Sequence, residues 1–259
     1  MMTNQLQHYL EFATETAWQA GRLTLGYFQT GIRPDFKSDE TPVTVADREA
    51  ERLIRGRIEK AFPSHAIVGE EFGSAETDEG ASHRWFIDPI DGTRAFVRGV
   101  PLYGVLIGLE IDGEIQVGVA NFPAMGEMLT AAKGLGCWWN GRKAQVSQIT
   151  RLEDGILTHT NPASFAKHGR AEAWEQLQNT VGYCFGWSDC YGYLLVATGR
   201  VEVMLDPIMS VWDCGPFPVI LQEAGGYFGD WQGNPTIYGS EAMATTAVLL
   251  PQVLELIGN

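Results

Sequence analysis

An apolar run that ends on two carboxylates, with a proline between them and a glycine after, leaves a chain few ways to fold. Trp85-Phe-Ile-Asp-Pro-Ile-Asp-Gly-Thr93 is such a run. Trp85, Phe86 and Ile87 predict a buried strand, and Pro89, which has no N–H for a ladder, is expected to end it one residue after Asp88. Asp88 then stands at a strand tip. Gly92 allows close backbone approach or an unusual conformation, and Thr93 can cap the helical turn that follows. Such a turn end offers N–H groups to an anion. Carboxylates suited to Mg²⁺ beside donors suited to a phosphate point first to phosphoryl transfer, although the same residues also make an ordinary tight turn.

The chain has 259 residues, 45% of them hydrophobic, enough for one large domain or two small ones. No apolar run reaches the roughly 20 residues a membrane helix needs, and the polar start Met1-Met-Thr-Asn-Gln5 lacks the features of a signal peptide, so a cytoplasmic location is expected, with no membrane partner. A formal charge of -14 disfavours nucleic acid and favours cations. Cys137, Cys184, Cys190 and Cys214 form no C-x-x-C pair, which predicts reduced thiols and no zinc site.

Periodicity divides the chain into residues 1–149, mixed α+β, and residues 150–259, α/β. Leu6, Leu10, Ala13, Ala17 and Ala20 predict a helix from Thr3 to about Phe28, with Thr3 available as its cap. A second helix is expected over Thr44 to Ala61, opened by a Thr44–Asp47 capping box. Val105 to Ile111 and Ile115 to Val119 flank Asp112-Gly113 and predict a hairpin. Beyond Thr150, strands at Ile156 to His159, Val201 to Leu205 and Tyr227 to Gly229 alternate with helices at Arg170 to Leu177, Cys190 to Thr198 and Trp212 to Ala224. The Glu71 to Ser82 stretch, rich in Gly, Ser, Thr and acid, reads as a mobile loop.

Other acids carry little weight singly. Glu70 or Glu71, after the short strand Ala66 to Val68, could face the same mouth as Asp88 and Asp91, yet a Glu-Glu pair is more often a solvated edge. Asp213 could simply complement a helix N-terminus, and Asp47 could simply cap one. Trp187 and Tyr191 read as core.

Together these segments resemble the inositol monophosphatase family. The resemblance rests on Lys37-Ser-Asp-x-Thr-Pro-Val-Thr-x-Ala-Asp47, Gly69-Glu-Glu71, Asp88-Pro-Ile-Asp-Gly-Thr93, Trp212-Asp213 and Glu223-Ala-Gly-Gly226, and spans nearly the whole chain. Ala95 to Ile107 and Asp189 to Arg200 look most like its histidinol-phosphate phosphatase branch. Arg94-Ala95 before Phe96 departs from the inositol pattern, while Tyr183-Cys-Phe-Gly-Trp-Ser188 has no arginine where the branch often carries one.

The resemblance implies a two-part sugar-phosphatase fold, a layered αβαβα sandwich, and a homodimer. It implies one Mg²⁺ on Glu70, Asp88 and the main-chain oxygen of Ile90, and a second on Asp88, Asp91 and Asp213. Thr93 and Asp47 would orient the attacking water, with Glu70 beside them in catalysis. Substrate contacts would fall on Glu70, Ile90, Asp91, Gly92, Thr93 and Asp213, the N–H groups of Gly92 and Thr93 cradling the phosphate. Asp206 and Asp189 would meet the alcohol, although Asp189 could equally cap the next helix. Four carboxylates and a phosphate dianion leave room for a third Mg²⁺ entering with substrate near Glu70. Without metal, Glu70 or Asp91 should hold protons to a higher pH than an isolated carboxylate. The implied reaction is hydrolysis of a phosphate monoester, histidinol phosphate first. Inositol 1-phosphate or a broad range of sugar phosphates is the nearest alternative, and a non-catalytic divalent-metal binding protein the more distant one.

Overall fold

The computed structural model describes residues 2–38, 40–74, 80–187 and 189–258. Helix α1 (Met2–Tyr27) turns Leu6, Leu10, Ala13, Ala17 and Ala20 inward at the predicted steps, and Thr3 lies inside its first turn instead of capping it. β1 (Asp35–Phe36) pairs with β2 (Pro42–Val43) ahead of α2 (Val45–Ala61). α2 opens on the expected capping box, Ala46 N–H donating to Thr44 Oγ1 at 3.1 Å and Thr44 N–H to Asp47 at 2.8 Å. Its Ala50, Ile54 and Ile58 join α1 over one face of a sheet.

That sheet runs, among the described residues, in simple neighbour order from β3 (Ala66–Gly69) through β4 (His83–Asp91), β5 (Gly104–Ile111), β6 (Glu114–Phe122), β7 (Glu127–Ala132) and β8 (Gly136–Trp139) to β9 (Arg142–Lys143). β3 and β4 are parallel and the other neighbours antiparallel. The Asp112-Gly113 hairpin forms, with φ of 51° and 83° at its two turn residues, the left-handed pair a two-residue turn requires.

Pro89 does not end the strand. β4 continues to Asp91, and its pairing with β5 slips between Asp88 and Asp91, so Pro89 falls in a bulge where its missing N–H removes no ladder bond. Strand alternation sends Trp85 and Ile87 toward α1 and α2 and Phe86 toward the opposite layer. Asp88, two residues beyond Phe86, inherits the opposite face. α3 (Thr93–Val97) follows at once.

A second sheet has the order β11-β10-β12-β14-β13, from β10 (Ile156–His159), β11 (Tyr183–Phe185), β12 (Val203–Asp206), β13 (Gly226–Gly229) and β14 (Ala242–Thr246). One of its faces packs on α4 (Pro162–Lys167), α5 (Ala171–Thr180) and α9 (Leu250–Ile257). Between the sheets lie α6 (Cys190–Ala197), α7 (Val211–Cys214) and α8 (Phe217–Glu223), whose Tyr193, Leu194, Phe217 and Ile220 share one core with Phe86, Leu106, Met204 and Ala244. The result is the αβαβα sandwich that the motifs imply.

The helix expected over Trp212 to Ala224 is two helices. α7 ends at Cys214, and α8 begins only after Gly215-Pro216. The sheet explains the break. Gly108 and Gly118 are cross-strand partners on β5 and β6. A methyl group on Gly108 would collide with the Gly215 carbonyl, and one on Gly118 with the Pro216 carbonyl. Gly215 in turn sits against Phe86, where a Cβ would stand 2.8 Å from the Phe86 Cβ. Three glycines therefore let the helix break lie directly on the sheet, which brings Asp213 alongside Asp88. Gly108→Ala is expected to cost about 1–3 kcal/mol in chemical denaturation by overpacking this contact.

Candidate active site

Asp88, Asp91 and Asp213 each offer an oxygen such that all three lie within 4.8 Å of one another. Two come from the bulged end of β4, and the third comes from α7. A single backbone amide holds each. Ile90 N–H donates to Asp88 Oδ1 at 2.9 Å, Cys190 N–H to Asp91 Oδ2 at 2.6 Å, and Ser210 N–H to Asp213 Oδ2 at 2.9 Å. Asp213 is the third residue of α7 and closes a capping box with Ser210, so the helix starts at Val211, one residue before the expected Trp212.

Gathering these acids raises their affinity for protons. Burial, then Glu70, Asp91 and Asp213, push Asp88 well above the carboxylate range. Burial and Asp213 push Asp91 up to about 7, against the Cys190 hydrogen bond that lowers it. Burial takes Asp213 to about 6. Asp47, reached from α2, is likewise raised to about 6 by burial, although Thr44 bonds favour its charge. Thr93 Oγ1 lies 3.3 Å from Asp47 Oδ1 and 3.1 Å from the Ile90 carbonyl, so one hydroxyl links the helix acid to the turn.

Glu70 stands outside the tight triad. Its N–H donates to the Ile87 carbonyl at 3.2 Å, and its carboxylate accepts from Lys37 Nζ at 2.8 Å. Lys37 also lies 2.8 Å from Glu71, whose carboxyl burial lifts to about 7 in spite of the lysine. Gly92 has φ of 85°, and a Cβ there would approach the Leu102 carbonyl to 3.0 Å and Asp189 Oδ2 to 3.3 Å. The first-turn amides of α3 have no intrahelical acceptor, which leaves them for an anion.

These groups open onto a cleft of about 920 Å³. Lys37, Glu70, Asp88, Ile90, Asp91, Gly92, Thr93, Arg94 and Arg98 line it from the first half of the chain, while Thr160, Asn161, Asp189, Trp212 and Asp213 come from the second half. Asp189 occupies the N-cap position of α6, yet its side chain makes no capping bond there. Its φ of 52° and ψ of -154° put a non-glycine residue in a costly conformation at the cleft wall.

Asp206 does not line this cleft. It ends β12 inside the molecule, where Tyr193 Oη donates to it at 3.0 Å and Thr160 bonds it as well, and burial raises it well above the carboxylate range. The expected contact with the alcohol is thereby corrected, because β12 is buried on both faces and keeps the side chain under the wall. Trp187 is also not core. It is 37% exposed and stacks on Phe185, whereas Tyr191 is buried and donates to Glu127. Thr160 and Asn161, single polar residues after a short strand, gave no sequence signal. Of the predicted loop over Glu71 to Ser82, residues 75–79 lie outside the described residues.

Residues 5–258 match the inositol monophosphatase family. This chain belongs to that family. It is 45% identical over 252 residues to the histidinol-phosphatase of Chlorobaculum parvum, covering 96% of each chain. It is 36% identical to the histidinol-phosphatase of Mycobacterium tuberculosis, covering 86% of this chain and 87% of the relative. Among solved structures, the extragenic suppressor protein SuhB of Bartonella henselae superposes with a TM-score of 0.89 at 26% identity, over 96% of this chain and 98% of that one. An inositol monophosphatase from Zymomonas mobilis superposes at 0.87 and 29% identity, over 98% of both. No described helix is long and apolar enough to cross a membrane.

The donor set of this family member fits a hard divalent cation. Carboxylate oxygens converge without sulfur or imidazole among the clustered groups, and their mutual repulsion is what a cation would relieve. The folded acids hold protons that the unfolded chain releases between about pH 4 and 7, so without a cation their stabilising contribution is lost as pH rises through that window. Divalent-cation affinity is expected to fall as pH drops below about 7, with proton release on binding near pH 6.5. Titration calorimetry in two buffers of different ionisation enthalpy measures that release, and an unchanged heat in both would contradict it.

Proposed function

We propose that this chain is a Mg²⁺-dependent phosphatase that hydrolyses histidinol phosphate to histidinol and phosphate. The observation that carries the reading is the convergence of Asp88, Asp91 and Asp213 beside the Gly92-Thr93 turn, where acids for a cation adjoin amides for a phosphate. Glu70, Asp88 and the Ile90 carbonyl would hold one Mg²⁺, and Asp88, Asp91 and Asp213 a second, with a third near Glu70 when substrate is present. The ions supply positive charge that makes water a nucleophile and draws the phosphate oxygens in.

The protein orients and moves the proton. Asp47, raised to about 6, is matched to accepting a proton near neutral pH, and the Thr93 hydroxyl between it and the cleft relays the proton that the attacking water loses. The amides of Gly92 and Thr93 cradle the phosphoryl oxygens. The water oxygen bonds to phosphorus as the bond from phosphorus to the ester oxygen breaks, and the departing alkoxide takes up a proton from solvent water.

Histidinol carries an ammonium group, and Asp189 is an acid that lines the cleft without belonging to the metal triad. That placement favours a cationic alcohol over a neutral polyol. The names of the relatives agree, although the chain is also 32% identical to an inositol-1-monophosphatase of Mesorhizobium japonicum. We further propose a cytoplasmic homodimer. Tyr183, Phe185 and Trp187 stand in an exposed, stacked row along the sheet edge and supply an apolar face for a partner copy.

Phosphate release from histidinol phosphate and inositol 1-phosphate, compared at equal Mg²⁺, tests the substrate, and a preference for inositol 1-phosphate would sink the choice. Asp91→Asn is expected to lower turnover about a hundredfold or more while leaving the circular dichroism spectrum intact. Asp189→Asn should raise KM for histidinol phosphate about tenfold and leave that for a neutral monoester nearly unchanged, as the loss of a charged hydrogen bond predicts.

A further inference from the structure

Glu51 lies one helical turn after Asp47 on α2 and is fully buried. Its carboxylate is filled from three directions. Oε2 accepts from the Glu71 N–H at 2.7 Å, while Oε1 accepts from the Phe72 N–H at 3.3 Å and from Arg55 Nε at 2.7 Å. Arg55, a further turn along, donates its other end to the Gly73 carbonyl. Gly73 closes back on Gly69 by two backbone bonds of 3.0 and 3.1 Å. The turn from Gly69 to Gly73 is thus a closed loop fastened to α2 by one acid and one arginine. Gly69 is part of the fit, since a Cβ there would overlap the Glu51 carboxyl group.

Such a pair is a poor device for stability alone. Burying a carboxylate and a guanidinium costs several kcal/mol of desolvation, and apolar residues of the same volume often do as well or better. What the pair does is fix a loop. Glu70 sits between the two fastenings, its own N–H tied to Ile87 before it and the Glu71 N–H tied to Glu51 after it. We infer that Glu51 is a positioning residue that aims the Glu70 carboxylate at the cation site, acting through the Glu71 and Phe72 amides. Asp47 and Glu51 then give α2 two duties at adjacent turns of one helix: the first acid holds the Thr93 hydroxyl at the cleft and the second holds the loop that carries another acid.

The inference rests on the reading of Glu70 as a cation ligand, and a double-mutant cycle separates the two. Mg²⁺ is titrated calorimetrically into full-length wild type, Glu51→Gln, Glu70→Gln and the double variant, each first shown to be folded by its melting curve. Glu51→Gln, which puts an N–H₂ group against either the Glu71 N–H or the Phe72 N–H with Arg55 Nε, is expected to weaken Mg²⁺ binding about ten- to a hundredfold, the usual cost of losing a partner that orients a ligand. In the Glu70→Gln background the same change should cost less than about twofold, because the residue it works through is already gone. Equal losses in both backgrounds, or no loss in either, overturn the positioning role alone. Unaltered Mg²⁺ affinity in Glu70→Gln overturns the ligand reading and the positioning role with it. If Glu51→Gln does not fold, Gly69→Ala, whose Cβ would overlap the same carboxylate, takes its place in the cycle, where the same losses support or overturn the role.

Discussion

One backbone amide for each buried acid is the constraint on which the molecule depends. Asp88, Asp91 and Asp213 repel one another within a 4.8 Å cluster, and none could be gathered there without a donor fixed by the fold. The donors are Ile90, Cys190 and Ser210. Each arises from a different local device: a bulge in β4, the N-terminus of α6, and the capping box of α7. The site is therefore assembled from three backbone irregularities, and the regular sheets and helices exist around it to hold those irregularities in register.

Much of this was legible in the chain because it is local. The alternation of Trp85 to Asp88, the capping box at Thr44 and the Asp112-Gly113 hairpin are decided by neighbours within a few residues, and all three form. Proline at 89 misleads for a related reason. Its missing N–H rules out a ladder position, and sequence cannot distinguish a strand that stops from one that bulges. Short elements such as α4 and β11 lack the length for a period to show.

What was not legible is non-local. Glu51 and Arg55, four residues apart on a helix, carry no sequence signal of this role, since the partners they hold are main-chain atoms of another segment and leave no mark in side-chain identity. Asp206 misleads in the opposite way. Its closeness in sequence to Trp212-Asp213 places it near the cleft, but sequence distance says nothing of which side of a wall it occupies, and β12 is covered on both sides. Lys37, by contrast, was part of a recognisable motif without an evident task until the fold put its ammonium between Glu70 and Glu71.

The glycine contact between β5, β6 and the break after α7 has a consequence for folding order. It is the seam along which Asp213 meets Asp88 and Asp91, residues far apart along the chain. A cation spanning that seam would be a reversible staple, closing a loop of roughly 120 residues much as a disulfide would, without oxidation. Entropy of the open chain, not contact energy alone, then enters cation affinity. The ion that serves the chemistry would also tie the two halves of the sandwich together.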